Sequence, residues 1–241
     1  MTLARTRRPA PRPDHVCPCG RGVLVAPSIL SADFARLADE VAAVTPATPW
    51  IHVDAMDAQF VPNLTLGPVV VEGLRRHTDA FLDCHLMLER PIEMIDSFAS
   101  AGADGCTIHV EAAFGDPAPC LARMRELGLN VGLAVNPETR LEAALPFLDR
   151  IDMLLVMSVH PGFGGQSFIV EVLPKLVEAA KIIEQRELPV RLQIDGGIDV
   201  ATAPLAFEAG AEILVAGSAV YSKEDRAEAV RELLRVACPG H

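Results

Sequence analysis

The sequence predicts an α/β protein folded as a single (β/α)8 barrel of the TIM type. Short, almost wholly apolar runs recur along the chain, and amphipathic stretches separate them. The polar residues of these runs gather at their C-terminal ends, where a parallel barrel keeps its chemistry. These features predict the fold together with a length of 241 residues, enough for one large domain.

The apolar runs are Val23–Ser28, Trp50–Met56, Phe81–Leu88, Cys106–Glu111, Val131–Asn136, Met153–Val159, Val190–Asp195 and Ile213–Gly217. Near-continuous apolar composition suits parallel strands buried on both faces. Ser31 is placed to cap a helix with Phe34, Leu37, Val41 and Val44 on one side, and Ser167–Arg186 and Ser222–Val236 also read as helices. An open doubly wound sheet is the structural rival. No GxGxxG follows the first strand, which weakens its dinucleotide-binding form.

A net charge of −11 argues against a nucleic-acid partner. No apolar stretch approaches the ~18 residues of a membrane span. These readings predict a cytoplasmic protein with a small-molecule substrate. The cysteines at 17, 19, 84, 106, 120 and 238 lie mostly in apolar runs, which favours buried free thiols over a disulfide framework. Cys17 and Cys19 with His15 resemble half of a metal site, but no second half follows. Residues 1–22, rich in Arg and Pro, read as a disordered tail, and 23–241 as the catalytic barrel.

The strand ends carry the chemistry. His52, Asp54 and Met56 are two apart on strand two and share a side, and Asp83, His85 and Met87 repeat the design on strand three. Strand seven ends in Gln193-Ile194-Asp195-Gly196-Gly197. A charged group inside a barrel is costly unless paired or bound to metal. His52, Asp54, His85 and Asp195 can satisfy one another around one divalent ion, and mixed nitrogen and oxygen ligation suits Zn, Fe, Mn or Co. Any one of these histidines alone would read as an ordinary buried, hydrogen-bonded residue, as His109 does. Asp83 and Glu111 are candidate partners for the histidines, with ordinary buried ion pairs as the alternative.

Glycines form a second constellation. His160-Pro161-Gly162-Phe163-Gly164-Gly165-Gln166 follows strand six, Gly196-Gly197 closes strand seven, and Ala216-Gly217-Ser218 closes strand eight. Loops after strands seven and eight are the common phosphate site of such barrels. No Lys or Arg lies in these segments, so anion binding would rest on backbone N–H groups and Ser218.

With these residues in view, the chain resembles the ribulose-phosphate 3-epimerase family from about Val23 to Val236. The matching segments are Ala26–Phe34, His52–Asp57, Phe60–Asn63, Asp83–Met87, His109–Ala112, Met157–Gln166, Asp195–Gly197 and Ala216–Ser218. The resemblance implies interconversion of D-ribulose 5-phosphate and D-xylulose 5-phosphate in the pentose phosphate pathway, and commonly a homo-oligomer. It implies His52, Asp54, His85 and Asp195 as metal ligands, Asp54 as proton acceptor and Asp195 as donor, with the roles reversed in the other direction. It implies that Ser28 and His85 touch the sugar, and that Gly162, Phe163, Gly164, Gly165, Asp195, Gly196, Gly197, Gly217 and Ser218 hold the substrate, chiefly its phosphate. Met56, Met87 and Met157 would cap the site, shielding an enediolate from water, although core filling also accounts for them. Ala58 stands where the family usually has glycine, and His160 where a varied polar residue is expected.

Three rivals remain in view. An epimerase for a six-carbon ketose phosphate such as D-allulose 6-phosphate would use the same ligands. A lyase or decarboxylase of the same barrel group would resemble a pattern with Asp-x-Lys-x-x-Asp on strand three, but Asp83–Leu88 has no Lys. A non-catalytic phosphosugar-binding barrel would be favoured by loss of Asp54 or Asp195, and both are present.

Overall fold

Eight parallel strands form one sheet: β1 (Leu24–Pro27), β2 (Trp50–Met56), β3 (Phe81–Met87), β4 (Gly105–His109), β5 (Asn130–Val135), β6 (Met153–Met157), β7 (Arg191–Asp195) and β8 (Ile213–Ala216). Their order is β1-β8-β7-β6-β5-β4-β3-β2. An isolated parallel bridge between Ser28 and His52 joins the two ends of that order, so the sheet closes into a barrel. The computed structural model describes residues 8–12, 20–112 and 115–238.

Helices α1 (Leu37–Val44), α2 (Pro68–Arg75), α3 (Ile95–Ala101), α4 (Ala118–Glu126), α5 (Leu173–Gln185), α6 (Thr202–Glu208), α7 (Ser218–Tyr221) and α8 (Arg226–Ala237) surround it. Between β5 and β6 the connection is made of 3-10 turns, Leu141–Ala143 and Leu145–Arg150. Pro146 lacks the N–H that an α-helix would need there.

Three helix starts differ from the sequence reading. Ser31 ends a 3-10 turn instead of capping a helix. Asp33 caps a second short turn by accepting from Ala35 N, and α1 begins only at Leu37. The stretch 167–186 opens with a 3-10 turn, Val170–Val172, before α5. The stretch 222–236 starts late because Asp225, accepting from Glu228 N, is the true cap of α8.

Outward-facing strand residues such as Ile51, Val53, Leu82 and Leu86 are fully buried against the helices. Each such side chain stabilises the fold by roughly 1.5–3 kcal/mol relative to exposure. Inside, the barrel is layered. Leu24, Ala26, Trp50, Phe81, Met153, Ile213 and Val215 form an apolar floor at the N-terminal end. Residues 8–12 lie against that floor: Ala10 packs on it, Asn130 Nδ2 donates to the Arg8 carbonyl at 2.9 Å, and Arg191 Nη1 donates to the Pro11 carbonyl at 2.8 Å. Cys17, Cys19 and His15 lie outside the described residues.

Cys84, Cys106 and Cys120 are free and buried as expected, whereas Cys238 is disulfide-bonded. An apolar setting fits both states, so the local sequence does not separate them. Among the described residues no helix is long and apolar enough to cross a membrane.

Candidate metal and substrate site

The polar layer above the floor is built by strand register. β2 and β3 pair so that His52 lies beside Asp83, Asp54 beside His85, and Met56 beside Met87. The two-residue period then turns all six side chains inward, and β7 brings Gln193 and Asp195 from across the ring. His52, Asp83, His85 and Gln193 are fully buried and Asp54 nearly so.

Asp83 Oδ2 accepts from Gln193 Nε2 at 2.8 Å and from Trp50 Nε1 at 3.2 Å, and lies 3.2 Å from His52 Nδ1. A carboxylate only accepts, so His52 carries its proton on Nδ1 and points Nε2 inward. That Nε2 is buried without a hydrogen-bond partner. It lies 3.4 Å from Asp54 Oδ1 and 3.7 Å from Asp195 Oδ2. His85 Nδ1 faces the same two oxygens, at 3.2 and 3.6 Å. Each of the four residues offers one ligand atom, and these atoms lie within 4.8 Å of one another. The orphaned His52 nitrogen, two imidazoles and two carboxylates fit a divalent cation, and this group could hold one.

Electrostatics agree. Burial by itself would raise the Asp54 carboxyl, yet His52 and His85 outweigh it and hold Asp54 far below the usual carboxylate range. Burial would lower His52 and His85, but facing carboxylates hold both above the ordinary histidine value: Asp54 and Asp83 for His52, Asp195 and Asp54 for His85. His109 behaves oppositely. Burial pushes it down to about 4, despite the neighbouring Glu111. It is a satisfied core histidine, as its sequence setting suggests.

Above the cluster a cavity of about 460 Å³ opens at the C-terminal ends of the strands. Asp54 and Asp195 reach its wall, whereas His52 and His85 do not line it. Ser28, Gly162–Gly165, Gly196, Gly197, Gly217 and Ser218 line it, as do Phe163 and the three methionines Met56, Met87 and Met157. Met56 and Met87 pack together with Val61, Leu30 and Phe60. Gly197 has φ 64°, and a Cβ there would fall 2.5 Å from the Phe168 backbone nitrogen, so only glycine lets these segments meet.

Several residues that shape the site were given no role by the sequence reading. Gln193 clamps Asp83. Its position two residues before Asp195, on the same strand face, is the signal that could have found it. Thr65 Oγ1 donates to the Asp54 carbonyl at 2.6 Å. Asn63 Nδ2 donates to the Gly162 carbonyl at 2.8 Å, tying the loop after β2 to the loop after β6. Gln166 Nε2 donates to the carbonyls of His160 and Phe163. Asp57 shapes the loop after β2 by accepting from the N–H groups of Gln59, Phe60 and Glu89.

Fold and site together define a (β/α)8 barrel with a buried two-His, two-Asp cluster under a cavity lined by glycine-rich loops. Comparison with known proteins narrows that class. The sequence model described as the Ribulose-phosphate 3 epimerase family matches residues 24–221, and the chain belongs to that family. It is an enzyme of the isomerase class. A ribulose-phosphate 3-epimerase of Mycobacterium tuberculosis (strain ATCC 25618 / H37Rv) is 51% identical over 216 residues, covering 90% of this chain and 93% of the relative. That of Bacillus subtilis (strain 168) is 45% identical over 217 residues, covering 88% and 98%. A solved structure of KGPDC from Streptococcus mutans in complex with D-R5P superposes with a TM-score of 0.70 at 16% identity, covering 90% of this chain and 99% of that one. That last likeness supports the fold alone.

Proposed function

We propose that this protein interconverts D-ribulose 5-phosphate and D-xylulose 5-phosphate, a step of the pentose phosphate pathway, with Asp54 and Asp195 as the acid/base pair. The observation that carries this is their convergence. One carboxylate comes from β2 and the other from β7, both reach the cavity, and both share the buried polar cluster with His52 and His85. Inverting a carbon needs a base on one face and an acid on the other, and carboxylates from strands across the ring can flank it.

Asp54, held ionised by its histidines, accepts the C3 proton beside the C2 ketone. Ser28 Oγ donates to Asp54 Oδ2 at 2.5 Å, which fixes the carboxylate for that transfer. Asp195 returns a proton from the opposite face, and the roles exchange in reverse. A divalent ion held by His52, Asp54, His85 and Asp195 would supply Lewis-acid stabilisation of the charge that develops on the ketone oxygen. The methionine side chains over the floor keep water from the reacting carbon. Gly162–Gly165, Gly196, Gly197, Gly217 and Ser218 are placed to receive the phosphate through backbone N–H groups and the serine hydroxyl.

The test is an epimerisation assay on D-ribulose 5-phosphate beside D-allulose 6-phosphate, in D2O, with metal-loaded protein and products read by NMR. Faster turnover of the pentose with deuterium at C3 is the expected result. Preference for the hexose would move the substrate assignment, and absence of exchange with either would remove the catalytic one.

A further inference from the structure

His85 has a second nitrogen, turned away from the aspartates. Its Nε2 lies 2.7 Å from Nε2 of His109. The ring planes are 21° apart with centroids 4.9 Å apart. Stacked rings could not bring two nitrogens that close, so the imidazoles meet edge to edge, in the geometry of an N–H···N hydrogen bond. His109 is fully buried beneath Phe60, whose ring centroid is 5.0 Å away. Its Nδ1 lies 3.2 Å from Glu111 Oε2. Glu111 is itself held, because Oε1 accepts from the Asn136 backbone N–H at 2.8 Å.

The proton placement follows from the end of this chain. Glu111 only accepts, so His109 carries its proton on Nδ1 and offers Nε2 as an acceptor. His85 then donates from Nε2, and Nδ1 is the nitrogen left facing Asp54 and Asp195. We infer that Glu111 and His109 are positioning residues that lock His85 to present Nδ1 to the metal. This rests on the metal reading above. Asp83 acts on His52 by one direct contact, whereas Glu111 acts on His85 through an intervening imidazole. Without Glu111, His109 is released to its other tautomer. Its Nε2–H would then face His85 Nε2 and leave the His85 proton on Nδ1, where it blocks ligation.

The experiment measures Co2+ affinity by competition with a chromophoric chelator for wild type, Glu111→Gln, Glu111→Leu and His109→Phe, with melting of the metal-free proteins as the control for folding. Long-range 15N NMR of Zn2+-loaded wild type reads the His85 tautomer without any variant. We expect Glu111→Leu and His109→Phe to bind Co2+ ~10–100-fold more weakly. Glu111→Gln, whose amide oxygen still accepts, should stay close to wild type, and His85 should show Nε2–H with Nδ1 ligated. Equal affinity in all variants, or His85 ligating through Nε2, would overturn the inference while leaving the metal reading intact. Failure of wild type to bind either ion would overturn the metal reading and this inference with it.

Discussion

Ser28 and His52 form the bridge that closes the barrel, and the same Ser28 donates its hydroxyl to Asp54 Oδ2 at 2.5 Å. Closure of the sheet and orientation of the proposed base therefore depend on one residue. Ser28→Ala keeps the backbone bridge and removes the charge-assisted bond, which is worth ~1.5–3 kcal/mol. We expect kcat to fall ~10–100-fold and the melting temperature to fall by ~3–12 °C. Steady-state kinetics beside a thermal melt checks both.

The His52–Asp83 pair predicts a pH window for the metal-free protein. Asp83 is held below its ordinary value, against the effect of burial, by His52, Gln193 and Trp50. Its contribution is present above the unfolded carboxylate value of about 4 and is lost as pH falls through the folded one. His52 is raised, so its contribution is complete below about 6.5 and is lost as pH rises through its higher folded value. Metal-free protein should melt highest in mildly acidic buffer and lower toward alkaline pH. Calorimetry across that range, which should also show a saturating divalent ion restoring the alkaline side, decides it.

Ala58 has φ 57°, in the left-handed region that favours glycine. Its N–H donates to the Asn63 carbonyl at 2.8 Å, so the turn cannot relax without losing that bond. The sequence reading noted that relatives usually have glycine here, and the backbone supplies the reason. Ala58→Gly should stabilise the protein by ~1 kcal/mol, a rise of ~2–4 °C in melting temperature.

Ala10 packs against the floor formed by Trp50, Phe81 and their neighbours. Ala10→Glu would place a charge on that apolar layer and should cost ~1–3 kcal/mol. Activity at moderate temperature should persist, because the cavity lies at the other end of the barrel. Denaturant unfolding of the variant, with turnover measured in parallel, tests this.

How much was legible follows from period. Strands buried on both faces read as apolar runs, and two-residue alternation put His52 with Asp54 and Asp83 with His85 on shared strand faces, while Asp195 stood out only as the polar end of strand seven. Strand register, which sets His52 beside Asp83 and Asp54 beside His85, is a tertiary fact that no single strand encodes. For the same reason, the hydrogen bonds of Thr65, Asn63 and Gln193 were not visible. Helix onsets were misplaced where Asp33 and Asp225 compete as caps with nearby serines. The connection after β5 looked like another strand–helix unit, although Pro146 divides it into 3-10 turns.

The most direct test of the two-aspartate account is C3 chemistry in D2O for Asp54→Asn and Asp195→Asn, each loaded with metal and verified as folded. The account predicts that wild type converts D-ribulose 5-phosphate to C3-deuterated D-xylulose 5-phosphate, while neither variant yields detectable epimer. Substantial epimerisation by either variant would contradict the role assigned to that carboxylate.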